Sequence, residues 1–437
     1  RCLRHHRLVA NSDRLCSMTS TFEEKQNKFF ENFWLLLIAG LFAHLWLIWI
    51  GIHGIGTPMG DVLFAYKPWV DWMIESHKIL GVNAPWVYPY PAQLPMWIAV
   101  LINPNDFQTG WLTMITVLDL VAIAALVNFG RRDDSTRIRF LAAWFWLFFL
   151  VALGPVSISR VDAFSVVLAI FGVLALVNRK LNQSTGWLTF AGLTKIWTIA
   201  FIAPILVVSK QRMRVLLAAA TTGLITIGLG FLLGGNANLF GFISDQQARG
   251  LQIEAPVSTP FIWAGLLGFG DGEIYYDQAM MTFQVAGTGT AIVAGLMTAA
   301  LAVAMAITCW LAWRAVKAGK RFRQIVPIAA LTAVMDLIFF NKVGSPQYVT
   351  WLAVPVILGV LYRVENWRVP MYLVTSLALL TEFVYPVFYD SILSGQVWAM
   401  SVLLLRNVGY LALLVYANLR LSALTKVSAA DQPLLAR

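Results

Sequence analysis

The sequence predicts an all-α polytopic membrane protein with about ten full transmembrane helices plus a short helical hairpin, external interfacial helices and an outward-facing cavity. Three observations predict it. Hydrophobic residues make up 59% of the 437 and charged residues only 12%, against about 25% charged in soluble domains. Apolar runs near the ~20 residues that cross a bilayer as a helix recur along the chain, without the alternation of barrel strands. Lys and Arg fall mostly in short clusters between these runs, the pattern of cytoplasmic loops. The net charge of +10 is therefore a topological signal, and nucleic acid is excluded as a partner. The three cysteines, Cys2, Cys16 and Cys309, offer no framework of pairs.

Residues 1–31 read as a cytoplasmic N-terminal extension. Within it, 1–17 precede Met18 as an upstream extension or alternative start, and His5 and His6 are solvated on a basic tail. Spans are expected at 32–52, 109–129, 139–154, 161–178, 213–234, 287–313, 324–340, 347–362, 369–387 and 396–418, followed by a cytoplasmic tail at 419–437. Residues 32–418 then form one membrane domain. Two further apolar stretches are settled by charge. The run 90–102 is short, begins among Pro89, Pro91 and Pro95, and would put the Arg131, Arg132, Arg137 and Arg139 cluster outside if it crossed. It reads as an interfacial helix inside one external segment, 53–108. The run 186–208 lies between Arg179/Lys180 and Lys210/Arg212/Arg214, so it should enter and return as a hairpin with Thr194 and Lys195 at its apex. A single span with Lys195 snorkelling is the alternative. Both termini are then cytoplasmic in a plasma-membrane protein, and no internal repeat appears.

Most charges outside the basic clusters sit on the external segments 53–108, 155–162, 235–286 and 341–346. Asp61 follows Gly60 and precedes the interfacial "VLFAY" and "KPWVDWM". A carboxylate at the lipid boundary is partly desolvated, which strengthens it as a base; equally, Asp61 suits the N-cap of an interfacial helix. In "SRVDAF", Arg160 and Asp162 suit local ion pairing or capping. "ARGLQIEAPVS" places Arg249, Gln252 and Glu254 in a polar loop, where a guanidinium suits phosphate oxygens. "NKVGSPQYVTW" ends one span at Asn341 and Lys342 and restarts at Pro346. Arg406 falls in the middle of the last span, an expensive position that points to function. No Walker loop, HExxH, CxxC pair or GxSxG is present, and this leaves nucleotide hydrolysis, zinc chemistry and serine hydrolysis unsupported.

An acidic residue just past the first span, then "VYPYPAQLPM", "SRVDAF", "GLTKIWTIAFIAP", "RGLQIEAP" and "NKVGSPQYVTWLAVP", in that order, resembles the integral-membrane glycosyltransferases of the C-type fold. The likeness is greatest to family 87, the polyprenol-phosphate-mannose-dependent alpha-mannosyltransferases of actinobacterial envelopes, and spans roughly residues 30–365. The resemblance implies Asp61 as catalytic base and an inverting transfer on the external face. Sugar, most readily mannose, would move from a polyprenyl-phosphate donor to a lipid-linked glycan acceptor of the phosphatidylinositol mannoside or lipomannan type. Lys342, Arg249, Lys195 and Arg406 are the expected partners of the donor phosphate. Tyr66, Tyr88, Arg160, Asp162, Gln252, Glu254, Gln347 and Tyr348 are the expected substrate contacts. No cofactor is required, and a divalent metal is optional. A Tyr between the prolines of "VYPYPAQ" and the long 235–286 segment depart from the family pattern, so sugar and acceptor are not carried over. Arabinofuranosyl transfer stays an alternative, as does a lipid or solute transporter, for which Asp119 and Asp336 inside predicted spans count. A noncatalytic scaffold is the third, disfavoured by the length of 235–286.

Overall fold

The computed structural model describes residues 30–127, 136–245, 249–278 and 280–426. Residues 1–29, with Cys2, His5, His6, Cys16 and Met18, lie outside the described residues, as do Arg131, Arg132 and the tail from 427 onward.

Twelve helices build the bundle: α1 (Phe33–His53), α2 (Phe107–Leu126), α3 (Thr136–Leu153), α4 (Val161–Val177), α5 (Leu181–Thr194), α6 (Ile199–Val208), α7 (Arg212–Leu232), α8 (Thr290–Lys317), α9 (Phe322–Phe339), α10 (Thr350–Leu361), α11 (Arg368–Glu382) and α12 (Val397–Ala423). Eight of them, α1, α2, α3, α7, α8, α9, α11 and α12, are long and apolar enough to cross a membrane. Their starts follow local capping rules: Asn32 Oδ1 accepts from Leu35 N–H at 3.2 Å before α1, and Asp106 Oδ1 accepts from Thr109 N–H at 3.1 Å before α2. The protein is thus an all-α polytopic bundle.

The predicted runs 161–178 and 347–362 fall on α4 and α10, which are shorter, at 17 and 12 residues. Both are buried along nearly their whole length. A helix that is apolar on every side belongs inside other protein. α2, α5 and α10 pack around α4, and α9 and α11 around α10. The periphery is the inverse. α7 and α8 expose Leu216, Leu224, Leu232, Ile292, Leu296 and Val303, as helices facing lipid must.

The hairpin begins at Leu181, five residues before the predicted start, because α5 continues through polar Asn182, Gln183 and Ser184 at its entry. α5 ends where Lys195 turns to extended backbone (φ −150°, ψ 116°). The chain then returns through a short 3-10 turn and α6, which brings Ser209, Lys210 and Gln211 beside Leu181 around one cavity.

The connections at the opposite end carry two short helices, Lys67–Ser76 and Leu94–Ile102, in the stretches where interfacial helices are expected. The second lies so close to α2 that a Cβ on Gly110 would stand 2.1 Å from the Ala99 carbonyl oxygen. One element departs from the wholly helical expectation. Segment 235–286 folds in part as a three-stranded antiparallel sheet of order β1-β3-β2, with β1 Leu251–Gln252, β2 Glu273–Asp277 and β3 Thr282–Ala286. Strands of two to five residues are invisible to span-length hydropathy, and the aromatic and β-branched "EIYYD" and "TFQVA" were the available signal.

Candidate active site

Asp61 is not a helix cap. It has helical backbone angles and its side chain makes no capping bond, because the first turn opens into a π-helical stretch, Val62–Tyr66, that rotates the carboxylate toward α4. There Asp61 Oδ2 meets Arg160 Nε at 3.1 Å and accepts from the Tyr66 hydroxyl at 3.4 Å. Oδ1 has no hydrogen-bond partner among the described residues, and the side chain is 39% exposed. One oxygen is held and the other reaches solvent. The burial expected of a desolvated carboxylate falls instead on its partners.

Arg160 is buried and over-determined. Its Nη1 donates to the Pro58 carbonyl at 2.8 Å and to Ser159 Oγ at 2.9 Å, and its Nη2 donates to the Tyr385 hydroxyl at 3.3 Å. Burial opposes the charge, but the facing Asp61 carboxylate together with Tyr385 and Tyr66 outweighs it, and the guanidinium is held more firmly protonated than usual. Tyr66 accepts from the Val161 N–H at 3.1 Å, an unpaired amide of the first turn of α4. Burial, with Asp61 alongside, keeps the Tyr66 phenol protonated well above its ordinary range.

Arg160 and Asp162 do not pair with each other. Asp162, two residues on, faces the hairpin: Lys195 Nζ lies 3.4 Å from its Oδ2, and Trp351 Nε1 donates to its Oδ1 at 2.7 Å. The Lys195 ammonium also stands 4.5 Å from the centroid of the Tyr88 ring and 5.9 Å from that of Tyr348, within cation–π range. Tyr348 stacks on Trp351 at 4.1 Å and Trp351 on Trp197 at 5.7 Å. On the Asp61 side Tyr66, Trp69, Trp86 and Tyr88 form a chain of ring contacts between 5.4 and 6.0 Å. The two ion pairs therefore share one aromatic wall.

The loop between α9 and α10 docks on segment 251–255. The Gln252 N–H donates to the Lys342 carbonyl at 2.9 Å, and Gln252 Oε1 accepts from Gly344 N–H at 3.1 Å. Lys342 is only part-buried; desolvation, then the nearby Arg249 charge, lowers its pKa from the ordinary lysine value. Lys342 thus feels the charge of Arg249, and so does Tyr348. A Cβ on Gly344 would come within 2.2 Å of the Ala255 nitrogen, and neither backbone can yield cheaply. Gly344→Ala is expected to push the two loops apart and lower stability by about 1–3 kcal/mol, read as a drop in Tm with the bundle still folded by circular dichroism.

A search of protein-family models and of curated proteins returns no match to this chain.

Arg406, expected at the donor phosphate, holds protein instead. It is fully buried; its Nη2 donates to the Glu254 backbone carbonyl, and its Nε donates to Asn407 Oδ1 at 3.1 Å. Glu254 is likewise taken up, accepting from the Tyr389 hydroxyl at 2.7 Å, and burial raises its carboxyl above the usual range. Arg406 fixes segment 251–258 to α12 and Glu254 fixes it to the connection that carries Tyr389, while Arg406 Nη1 and Glu254 Oε2 are buried without a hydrogen-bond partner among the described residues. Gln252 likewise spends its side chain on the loop; Gln347 is buried at the start of the 3-10 turn before α10. Sequence reasoning missed the segment 383–396, which supplies Tyr385 to Arg160 and Tyr389 to Glu254. Its signal was aromatic, "EFVYPVFYD", in a connection carrying few charges. It also missed Glu382, whose Oε2 is buried without a hydrogen-bond partner against Gly154. No group of three or more His, Cys, Asp or Glu side chains placed to hold a metal occurs among the described residues.

Proposed function

We propose that the protein is a membrane glycosyltransferase that moves a sugar, mannose in the first instance, from a polyprenyl-phosphate donor to a lipid-linked glycan acceptor at the external face, with inversion. Ten crossings and the hairpin, with both termini cytoplasmic, are the topology that goes with this reading. The observation that carries it is the Asp61 carboxylate, fixed through one oxygen by Arg160 and Tyr66 and open through the other. A general base needs that arrangement, with its orientation locked and a lone pair free for the incoming hydroxyl.

The free oxygen takes the proton of the acceptor hydroxyl as that oxygen attacks the anomeric carbon. The bond from that carbon to the donor phosphate breaks on the opposite side. The departing phosphomonoester gains charge, which Lys342 and Arg249 offset, with Lys195 behind the aromatic wall. Tyr66, Tyr88 and Tyr348 offer flat faces to sugar rings and isoprenyl units. A transporter is the competing reading, favoured by one observation: His44 Nε2 lies 3.3 Å from Asp119 Oδ2, both buried between α1 and α2.

Purified protein in lipid, given labelled polyprenyl-phosphate mannose and a mannosylated lipid acceptor, should form labelled product. Product with an arabinofuranosyl donor alone would move the assignment to that sugar; release of a vesicle-entrapped donor without transfer would favour the transporter. Lys342 sets a pH limit. Because its pKa is lowered, its positive charge is lost at a lower pH than an ordinary lysine's, and kcat/KM should fall on the alkaline side. Lys342→Arg should move that limb to higher pH; an unchanged profile would remove Lys342 from the donor site.

A further inference from the structure

The end of the bundle opposite Asp61 carries a cavity built from three parts of the chain. It measures about 410 Å³, and its wall includes Arg179, Lys210, Arg323 and Tyr362. Three cations meet there from three places remote in sequence: Arg179 from the α4–α5 connection, Lys210 from the α6–α7 connection and Arg323 from the first turn of α9. None of the lining residues is acidic. Arg323 lies over the Tyr362 ring at 5.5 Å, and the Tyr362 hydroxyl donates to the Leu176 carbonyl at 3.3 Å, which sets the ring and the guanidinium above it. Arg179 has a left-handed backbone (φ 62°), a conformation disfavoured for any residue with a Cβ. Two helices, α5 and α7, start beside the cavity without a side-chain cap, so their first N–H groups carry partial positive charge. Ser209, 6% exposed, adds a hydroxyl to the wall.

Like charges gathered around a hollow repel one another unless an anion sits among them. Arg forks and a Lys match tetrahedral oxygens, while Leu176, Val177 and Phe322 give the same cavity an apolar floor. Arg160 and Asp162 begin α4 at the Asp61 end and Arg179 follows its other end, so this site lies on the order of 25 Å from the carboxylate. From this juxtaposition we propose that the Arg179–Lys210–Arg323 cavity binds a phosphate group, carried by an anionic lipid headgroup at the membrane surface or by a soluble phosphate ester. The site is separate from the proposed transfer chemistry and does not depend on it.

The full chain in nanodiscs is compared with an Arg179→Gln/Lys210→Gln/Arg323→Gln variant and with a charge-matched control, Arg314→Gln/Lys317→Gln/Lys320→Gln, which neutralises cations at the same end that do not line the cavity. Retained phosphatidylglycerol is counted by native mass spectrometry after exchange against phosphatidylcholine, and glycerol 3-phosphate binding is measured separately by calorimetry. At about fivefold for each cation, the cavity variant should lose affinity on the order of 100-fold while the control stays within a few-fold. Lipid retention identifies a headgroup, and glycerol phosphate binding alone identifies a soluble ester. Equal loss in both variants, or no binding of either probe by the wild type, overturns the proposal. If the triple variant does not fold, Arg179→Lys/Arg323→Lys, which keeps the charge and removes the forks, should bind at least fivefold more weakly; unchanged affinity in it also overturns the site.

Discussion

Asp61→Asn is expected to lower sugar transfer by about 10² to 10⁴, the usual contribution of a general base, with little change in Tm. The amide keeps the size of the carboxylate, and its oxygen can still accept from Arg160 Nε and the Tyr66 hydroxyl, which now meet Oδ2 at 3.1 and 3.4 Å. Arg160 keeps its bonds to Pro58, Ser159 and Tyr385, so the loss of a negative charge at a partly exposed position does not leave the guanidinium bare. Initial rates with labelled donor and a thermal unfolding curve on the same preparation check both halves. Full activity in the folded variant would remove Asp61 from the chemistry; an unfolded variant would make it a structural anchor.

Lys195→Met should be the most destabilising single change at the site, by about 3–5 kcal/mol, because it leaves the Asp162 carboxylate buried without its cation. Trp351 still donates to Asp162 Oδ1 at 2.7 Å, one neutral hydrogen bond where an ion pair had been. Lys195→Met with Asp162→Asn removes both charges and should restore most of the lost stability. Transfer should not return, since Lys195 also presents its ammonium to the faces of Tyr88 and Tyr348. Denaturation midpoints and transfer rates for the two single variants and the double variant separate the roles. Recovery of both properties in the double variant would make the pair purely structural.

What the sequence made legible followed physical scale. Spans were readable because some twenty apolar residues leave few alternatives, and the turn at Lys195 because basic clusters on both sides had to share one face. The short buried helices α4 and α10 were placed by the same runs, though length alone does not make them spans. The site was harder. Asp61 and Arg160 are about a hundred positions apart, and nothing in "GDVLFAY" or "SRVDAF" says that they meet; local spacing favoured pairing Arg160 with Asp162, whereas α4 turns the two side chains to different neighbours. Arg406 was recognised as costly but not as a clamp, since its acceptor is a backbone carbonyl, which sequence does not display. The 251–286 sheet and the 383–396 connection were missed because their information lies in short aromatic patterns, to which charge and hydropathy are nearly blind.

The burial of α4 bears on how the protein tolerates membranes of different thickness. A helix of 17 residues spans about 25 Å, less than the ~30 Å hydrocarbon layer of a typical bilayer, yet α4 meets protein on almost all sides and has nothing to match. Adjustment falls to helices such as α8, whose 28 residues exceed any usual thickness and whose flanks are bare. α8 can tilt while Arg160 and Asp162 stay where α4 holds them. Thinner or thicker lipid should therefore change the lean of the outer helices and leave the spacing of the two ion pairs nearly constant.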